Sequence, residues 1–342
     1  MIDKRHPLYM EDLRRVLAVK GVERLRGKSV LVTGATGLLG VHLIDALMAL
    51  GEVTVIAVGR SRERAAGRLG EHLSSPLFRF VEQDVQRAFP EDITADYIIP
   101  LASNTHPLAY SQYPAETMLI NLKGAEHALE LARRCGATVL YPSTVEVYGN
   151  ARDNDLFTED YTGQLNLSTS RACYSESKRS CEALCQSYAA EYGVKVRIAR
   201  LSRVFGPTML MSDTKASSQF IRKALDGEDI VLKSEGNQFF SYTYATDAVA
   251  AMLHIMLNGE DGTAYNIASD SCNVHLRDFA GLCAELCGRD VVFDLPSESE
   301  RKGYSVAVNA ILDTTRLRTS GFSPSYTMRD AVARTIHILK ND

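Results

Sequence analysis

Residues 33–40 read Thr-Gly-Ala-Thr-Gly-Leu-Leu-Gly, after the apolar run 29–33 and at the start of an apolar stretch over 38–50. Glycines permit a tight turn close to a phosphate group, and the first N–H groups of a helix attract its charge. A glycine triplet alone is weak evidence of dinucleotide binding, because glycine-rich turns between a strand and a helix also occur for packing. Strand, triplet and helix coincide here, so the stretch predicts a dinucleotide-binding turn. The predicted cofactor contacts are Gly34, Thr36, Gly37, Leu38, Leu39 and Gly40.

Strand-like and helix-like segments alternate on both sides of this turn. Apolar residues at helical spacing over 7–26 precede it. Apolar strands separated by helical periods indicate a parallel sheet covered on both faces. The predicted class is therefore α/β, a Rossmann-type doubly wound parallel sheet with a smaller C-terminal substrate lobe. The predicted strands are 29–33, 53–58, 78–82, 97–101, 138–141 and 194–201, and the predicted helices are 38–50, 61–72, 115–135 and 172–192.

The expected domain organisation follows the point at which this alternation loosens, after Gly206-Pro207. Residues 1–27 are expected to form an N-terminal helical extension and residues 28–205 a dinucleotide-binding domain. Residues 241–267 are expected to return to that domain. The remaining segments, 206–240 and 268–342, are expected to form the substrate lobe.

The bulk composition excludes several classes of protein. The 342 residues carry 38 basic and 42 acidic side chains, a net charge of −4, without a basic stretch that would bind nucleic acid. No apolar run reaches the roughly 18 residues of a membrane span, and the start lacks a signal peptide, so we expect a cytoplasmic protein. Among the seven cysteines, the pairs 181/185 and 283/287 are each spaced four residues apart but lack the further ligands that zinc needs. Reduced thiols and no metal are expected.

The second predicted strand ends at Ala57-Val58-Gly59-Arg60, without an acidic residue. An acid there would hold the adenosine 2′-hydroxyl, whereas an arginine suits a 2′-phosphate. Arg60 therefore favours NADP, although a solvated arginine stacking on adenine is an equal interpretation. Further expected cofactor contacts follow the third and fourth strands, at Asp84, Val85, Leu101, Ala102 and Ser103.

A hydroxyl, a phenol and an ammonium form the predicted catalytic set. Thr144 follows a strand, and Tyr174 and Lys178 lie four residues apart on one helix face. A nearby ammonium lowers the pKa of a phenol, and a phenolate removes a carbinol proton while hydride leaves to a nicotinamide. Tyr-x-x-x-Lys alone often arises by chance, but here it lies downstream of the glycine turn. Thr144 is expected to hydrogen-bond the same substrate hydroxyl.

With these residues in place, the chain resembles the extended short-chain dehydrogenase/reductases of the nucleotide-sugar epimerase/dehydratase group. Within that group it is most similar to the UDP-glucuronate decarboxylases (UDP-xylose synthases), over about residues 28–340. The stretches that carry the resemblance are Ser-Thr-Val-Glu-Val-Tyr-Gly at 143–149, Arg-Ala-Cys-Tyr-Ser-Glu-Ser-Lys-Arg at 171–179 and Phe-Gly-Pro-Thr-Met-Leu-Met-Ser-Asp at 205–213.

The resemblance implies a tightly held nicotinamide, oxidation of the sugar C4, chemistry at the neighbouring carbon and return of the hydride. It places Asn121 near the nicotinamide and makes Glu146 a base at C5 or a group acting on the substrate carboxylate. A structural hydrogen-bond role for Glu146 is the alternative. Dehydratases of dTDP-glucose carry an Asp just before this Glu, and Val145 there cannot transfer a proton. The resemblance also implies a homodimer through helices 115–135 and 172–192.

The chain departs from the decarboxylase pattern at positions where cationic side chains are replaced or introduced. Thr208, Phe240 and Lys215 stand where that pattern has arginines, and Arg203 replaces an asparagine. A diphosphate or carboxylate needs cationic partners, which Arg203 partly restores. The expected substrate contacts are Thr105, His106, Glu146, Arg203, Thr208 and Lys215.

The leading hypothesis is a redox-neutral nucleotide-sugar lyase, with UDP-glucuronate decarboxylation or a related dehydration as its reaction and NAD as its cofactor. NADP stays open because of Arg60. The alternative is a nucleotide-sugar epimerase or an NADPH-dependent 4-keto-sugar reductase. A non-catalytic dinucleotide sensor is disfavoured by the intact Thr144, Tyr174 and Lys178. The family implies a role in polysaccharide precursor synthesis.

Overall fold

The computed structural model describes residues 2–105, 107–149, 156–295 and 309–340. These form the strands β1 (Ser29–Thr33), β2 (Thr54–Gly59), β3 (Phe78–Glu82), β4 (Tyr97–Pro100), β5 (Thr138–Thr144), β6 (Leu156–Phe157), β7 (Lys195–Leu201), β8 (Arg203–Phe205), β9 (Ile230–Leu232), β10 (Phe239–Tyr244), β11 (Ala264–Ile267), β12 (Asn273–His275), β13 (Val291–Phe293) and β14 (Ile311–Leu312). The helices are α1 (Pro7–Val16), α2 (Leu38–Leu50), α3 (Arg62–Leu69), α4 (Pro107–Gln112), α5 (Pro114–Cys135), α6 (Ala172–Tyr192), α7 (Ala216–Leu225), α8 (Ala245–Asn258), α9 (Leu276–Cys287), α10 (Thr315–Thr319) and α11 (Met328–Lys340).

The central layer is a seven-stranded sheet with the order β11-β7-β5-β4-β1-β2-β3. Its strand pairs are all parallel. The chain runs outward from β1 in one direction through β2 and β3, and in the other through β4 and β5. The order therefore reverses between β1 and β4, and the crevice at their carboxyl ends is where such sheets bind ligands. The predicted doubly wound α/β class is confirmed.

Two helical layers cover this sheet because successive side chains of a strand point to opposite faces. On β1, Val30 and Val32 join a cluster with apolar residues of α1, α2 and α8. Leu31 points the other way, into a cluster with α5 and α6. The central strands are thus buried on both sides, which explains their continuous apolar runs.

Most predicted elements lie within one or two residues of the observed ones. The predicted bounds of β1, β3 and α6 are those of the structure, and the helix predicted over 61–72 is α3 followed by a 3-10 turn at 70–72. The stretch 7–26 is split into α1 and a 3-10 turn at 22–25. Gly21 between them has φ 84°, a left-handed conformation that a continuous helix does not contain.

Smaller sheets accompany the C-terminal half of the chain. A three-stranded sheet has the order β12-β10-β8, and two pairs join β13 with β9 and β14 with β6. Residues of α7, α9 and α11 share a separate apolar cluster with β9 and β10. Within 241–267, β11 joins the central sheet as expected, whereas β10 pairs with β8 and β12. The division of the chain into two domains stays a prediction.

No described cysteine forms a disulfide, and none belongs to a group of candidate metal ligands. The described residues hold one such group, Asp45, Glu71 and His72. The Lys4 ammonium lies 2.7 Å from Asp45 and 2.5 Å from Glu71, so the group already has its cation. Among the described helices, none combines the length and the apolar character needed to cross a bilayer.

A buried ion pair ties α1 to α11. Asp12 is fully buried and lies 2.8 Å from the guanidinium of Arg334. Its carboxylate also accepts hydrogen bonds from the hydroxyls of Tyr244 and Tyr326. Because a buried charge is costly without partners, these contacts fix α1 against the C-terminal helix.

Asp12→Ala is expected to lower the free energy of unfolding by about 3–5 kcal/mol, because it leaves the Arg334 guanidinium without its buried partner. Urea denaturation measures this loss. Glu11→Ala is the matched control, since Glu11 pairs with the same guanidinium at 3.2 Å but is 59% exposed. The control is expected to cost at most about 1 kcal/mol. Equal losses in the two variants would contradict a buried role for Asp12.

Candidate active site

The glycine turn between β1 and α2 is built by close backbone approach. Gly34 has φ 62°, and a Cβ there would lie 2.7 Å from the Ala102 nitrogen. A Cβ on Gly40 would lie 2.4 Å from the Gly34 carbonyl oxygen. The Gly37 N–H donates to that same oxygen at 2.9 Å and closes the turn. The glycines are therefore required by space as well as by conformation.

The first turn of α2 presents backbone donors next to this turn. Gly37 caps the helix and no side chain accepts from its first N–H groups. Donors at a helix start have no partner within the helix, and the helix dipole favours an anion there. The turn lies beside the β1/β4 crevice. The donor set fits a pyrophosphate.

Gly40→Ala is expected to destabilise the protein by about 1–3 kcal/mol, because its Cβ overlaps the Gly34 carbonyl. It is also expected to abolish co-purification of a nicotinamide dinucleotide. Thermal unfolding and the absorbance of the purified protein measure the two effects. Gly67→Ala is the control, because nothing lies within 4 Å of its Cβ in α3. The control is expected to gain up to about 1 kcal/mol from helix propensity. Retained dinucleotide in Gly40→Ala would remove the turn from the cofactor site.

Beyond the carboxyl end of β2, Arg60 lies beside a carboxylate that the sequence did not predict. The exposed Arg60 guanidinium lies 3.5 Å from Glu116 of α5. Asp84 accepts from the backbone N–H of Gln86 at 2.9 Å, and Val85 packs against Gly124 of α5. No sequence spacing connects residues 60 and 116, so only the fold brings them together.

A small cavity between the sheet and α5 includes Thr33, Ala102, Asn121 and Lys178 in its lining. The Ala102 N–H donates to the Thr33 hydroxyl at 3.0 Å. The Asn121 amide donates to Ser177 at 2.9 Å, while its Oδ1 is buried without a hydrogen-bond partner in the described part of the chain. An unpaired buried acceptor is costly, so this one fits a ligand or water donor. The predicted contacts Leu101 and Ser103 flank Ala102.

Three catalytic candidates meet where β5 ends and α6 begins. Thr144 is the last residue of β5, and its hydroxyl is close enough to the Tyr174 phenol to lower the pKa of that phenol. The Lys178 ammonium donates to the carbonyl of Pro142 at 2.8 Å and lies 6.0 Å from the centre of the Tyr174 ring. All three candidate side chains are buried. The structure thus brings the predicted set together.

Burial dominates the electrostatics of this set. Burial, and then the charge of Glu146, raise the pKa of Tyr174 well above its usual value, and the hydrogen bond from Thr144 opposes them. Burial lowers the pKa of Lys178. The ammonium is engaged by the Pro142 carbonyl and is not among the main influences on the phenol. That the ammonium lowers the phenol pKa stays a prediction.

Glu146 lies in the 3-10 turn that follows β5 and is held by two residues of the α6 start. Its carboxylate oxygens lie 3.0 and 3.1 Å from one nitrogen of Arg171, and Ser175 donates to it at 3.0 Å. Its side chain is 30% exposed. A carboxylate held by a cation and a hydroxyl, yet open to a ligand, can exchange a proton with a bound molecule.

Four residues of this site were not predicted from the sequence. Arg171 and Ser175 lie four residues apart, a helical spacing that places both on one face and could have revealed them. Tyr110 stacks on Tyr174 at 4.8 Å and carries the Arg171 guanidinium on its ring at 4.7 Å. Ser177 is buried and accepts a hydrogen bond from the Asn121 amide. Nothing in the local sequence marks Tyr110, because the fold alone places α4 there.

The expected substrate contacts are not all available to a ligand. Thr105 is exposed, and His106 lies outside the described residues. The Thr208 hydroxyl is buried and donates to the Leu38 carbonyl at 2.8 Å, which joins the chain after β8 to the glycine turn. Lys215 pairs with Asp213 at 2.9 Å. Thr208 and Lys215 therefore already have protein partners.

Arg203 is the remaining cation expected to bind substrate. Its guanidinium carbon lies 3.5 Å from the centre of the Phe240 ring, on the neighbouring strand β10. Its Nη1 is buried and has no hydrogen-bond partner in the described part of the chain. Burial lowers the pKa of this guanidinium, and the charge of Glu146 opposes that shift.

A doubly wound sheet, a glycine turn at its switch point and a Thr/Tyr/Lys set define an extended short-chain dehydrogenase/reductase. The family assignment is narrower. Residues 30–268 match the model of the NAD dependent epimerase/dehydratase family, and the chain belongs to that family. The resemblance drawn from the motifs is confirmed.

Curated relatives and solved structures agree with this assignment. The chain is 32% identical to UDP-glucuronic acid decarboxylase 1 of Xenopus tropicalis, over 95% of this chain and 75% of that protein. It is 36% identical to UDP-glucuronic acid decarboxylase 1 of Danio rerio, over 74% of this chain and 60% of that protein. The dTDP-glucose 4,6-dehydratase of Bacillus anthracis, solved in complex with NAD, shares the fold with a TM-score of 0.78. The two are 19% identical over 92% of this chain and 97% of the other.

Proposed function

We propose that the chain is a nucleotide-sugar lyase that decarboxylates UDP-glucuronate with a retained NAD. The observation that carries this proposal is the position of Glu146 beside the Thr144–Tyr174 pair. Thr144 and Tyr174 are placed to assist oxidation at one carbon, and the adjacent Glu146 carboxylate is placed to transfer a proton at the neighbouring carbon. The similarity to the decarboxylases of Xenopus tropicalis and Danio rerio supports the choice of substrate.

The cofactor is proposed to lie along the crevice from Arg60 to Lys178. The glycine turn and the α2 start would hold its pyrophosphate, and the other contacts are the predicted ones: Arg60, Asp84, Val85, Leu101, Ala102, Ser103, Asn121, Tyr174 and Lys178. Bound there, NAD supplies a hydride acceptor that later returns the hydride. The Glu116 carboxylate beside Arg60 disfavours a 2′-phosphate and so supports NAD over NADP.

Tyr174 is proposed to take the proton from the sugar C4 hydroxyl, with Thr144 hydrogen-bonded to the same group. Lys178 orients the site through the Pro142 carbonyl. Oxidation at C4 makes the substrate a β-keto acid, in which the bond from C5 to the carboxylate breaks, carbon dioxide leaves and the electrons of that bond form an enolate with the C4 oxygen. Glu146, held by Arg171 and Ser175, is proposed to act on the carboxylate and to pass to C5 the proton that this enolate takes up.

Further features of the proposal rest on the family. The substrate contacts are proposed to be Thr105, His106, Glu146, Arg203, Thr208 and Lys215, of which Arg203 and Glu146 are the best placed. We also propose that the chain divides into an N-terminal extension, a dinucleotide-binding domain and a substrate lobe. A homodimer through α5 and α6 is proposed as well. The proposed role is cytoplasmic, in polysaccharide precursor synthesis.

Mass-resolved product analysis after incubation with UDP-, CDP-, GDP- and dTDP-sugars tests the proposal. Loss of carbon dioxide from UDP-glucuronate is the expected result. Loss of water from another sugar would replace decarboxylation by dehydration.

The second candidate is a nucleotide-sugar epimerase or an NADPH-dependent 4-keto-sugar reductase. The exposed Arg60 guanidinium favours the reductase form, because a 2′-phosphate could compete with Glu116 for it. An epimerised sugar of unchanged mass, or turnover that requires added NADPH, would support this candidate over the first.

A further inference from the structure

Arg203 is a half-buried cation of the site that has no anionic partner among the described residues. The comparably buried Arg200 pairs with Glu182 at 2.7 Å, whereas Arg203 forms no ion pair with any described residue. Its polar neighbour Tyr242 is a phenol whose pKa is raised to about 12 by burial, so it is neutral at pH 7. The face of the Phe240 ring is therefore the nearest described partner of the Arg203 charge, and Glu146 acts on it without forming an ion pair.

An arginine keeps its charge in proteins, and a buried guanidinium without an anion is a cost to the fold. The aromatic face of Phe240 recovers part of that cost. It also fixes the guanidinium as a flat group, so that little freedom is lost when an anion binds. A buried cation held flat with a free nitrogen is a preorganised oxyanion receptor.

The surroundings of Arg203 point toward the sugar. Glu146 is close enough for its charge to act on Arg203, so the guanidinium belongs to the catalytic end of the crevice. Phe240 packs against the apolar cluster that contains Val145 and Val147, which flank Glu146. The glycine turn, where a pyrophosphate fits, is instead reached by Thr208, which bonds Leu38.

We infer that Arg203, stacked on Phe240, is the specificity-determining receptor for the carboxylate of a nucleotide-linked uronic acid. This inference rests on the proposed function and deepens it, since it assigns one residue to recognition of the acidic sugar. The carboxylate occupies the free Nη1 and completes the pairing that the protein leaves open. The neutral sugars of the same nucleotide gain nothing from Arg203.

Calorimetric binding to full-length, cofactor-retaining protein tests this inference. The Tyr174→Phe background prevents turnover, and three ligands are compared: UDP-glucuronate, UDP-glucose and UDP. Arg203→Met is expected to weaken the binding of UDP-glucuronate by about 10- to 100-fold, which is the range for a lost hydrogen bond to a charged group. The binding affinities of UDP-glucose and UDP are expected to stay unchanged. Arg289→Met, an exposed arginine of the same half of the chain, is expected to change none of them.

A thermal midpoint that is unchanged or higher in Arg203→Met is also expected, because an unpaired buried charge is replaced by an apolar side chain of similar length. Arg203→Lys and Phe240→Leu provide further variants that keep the charge. Both variants are expected to weaken the binding of UDP-glucuronate by about tenfold, because the guanidinium or ammonium is no longer held in the flat, preorganised geometry.

If Arg203→Met weakened the binding of UDP and of UDP-glucuronate equally, the inference would be overturned and Arg203 would be assigned to the diphosphate. Unchanged UDP-glucuronate binding would overturn it as well. Failure of the proposed function has a different signature. An unmodified protein that binds UDP-glucuronate selectively but releases no carbon dioxide contradicts the decarboxylase proposal and still supports the carboxylate receptor.

Discussion

Tyr174→Phe is expected to reduce turnover of UDP-glucuronate by about 10²- to 10⁴-fold, the usual range for a lost general acid–base group. The Tyr174 ring is buried and stacked on Tyr110, so the substitution removes one oxygen and keeps the ring packing. Initial rates of carbon dioxide release measure the effect. Nucleotide-sugar affinity is expected to stay within a few-fold.

Tyr192→Phe is the control for this loss. Tyr192 lies at the other end of α6, its ring is half exposed, and its contact with Arg133 does not depend on the hydroxyl. The control is expected to keep full activity. More than a tenth of the original turnover in Tyr174→Phe would show that another group moves the proton.

Glu146→Gln is expected to stop the reaction after oxidation. The amide retains the shape of the carboxylate and an acceptor for Ser175 but cannot take a proton. We expect product release to fall by about 10²- to 10⁴-fold, while the absorbance of reduced nicotinamide rises when UDP-glucuronate is added. Stopped-flow absorbance and product analysis together separate the two steps.

The same variant carries a pH signature. The Glu146 charge raises the pKa of Tyr174, so its removal lowers that pKa. The pH at which oxidation reaches half its maximum is therefore expected to move downward in Glu146→Gln. Ser175→Ala, which keeps the charge and loses one hydrogen bond, is expected to cost about fivefold in rate and to leave that pH nearly unchanged. An upward move in Glu146→Gln would contradict the coupling of the two groups.

The fold was predictable from the sequence because its determinants are local and periodic. The glycine turn between β1 and α2 and the apolar strands fix a parallel sheet, and Tyr174 and Lys178 share a helix face by spacing alone. The short helix expected within 7–26 is α1, which ends before Gly21. The pairing of β10 with β8 was not predicted, because short strands of different sheets look alike in sequence.

The site was less predictable wherever contacts join distant segments. Tyr110 reaches Tyr174, and Glu116 reaches Arg60, only through the packing of α4 and α5. The direction of the Tyr174 pKa shift depends on burial and on Glu146, neither of which a spacing reveals. The placement of Arg203 on the Phe240 ring likewise follows from strand pairing.

The contact between Asp12 and Arg334 joins residues 322 positions apart. During synthesis, the partner of Asp12 is therefore made long after α1 leaves the ribosome. Closing so long a loop is entropically unfavourable until many other contacts exist, which slows folding. The Asp12 carboxylate is therefore expected to lack its guanidinium partner until α11 docks, so that the last helix of the chain completes the ion pair of the first.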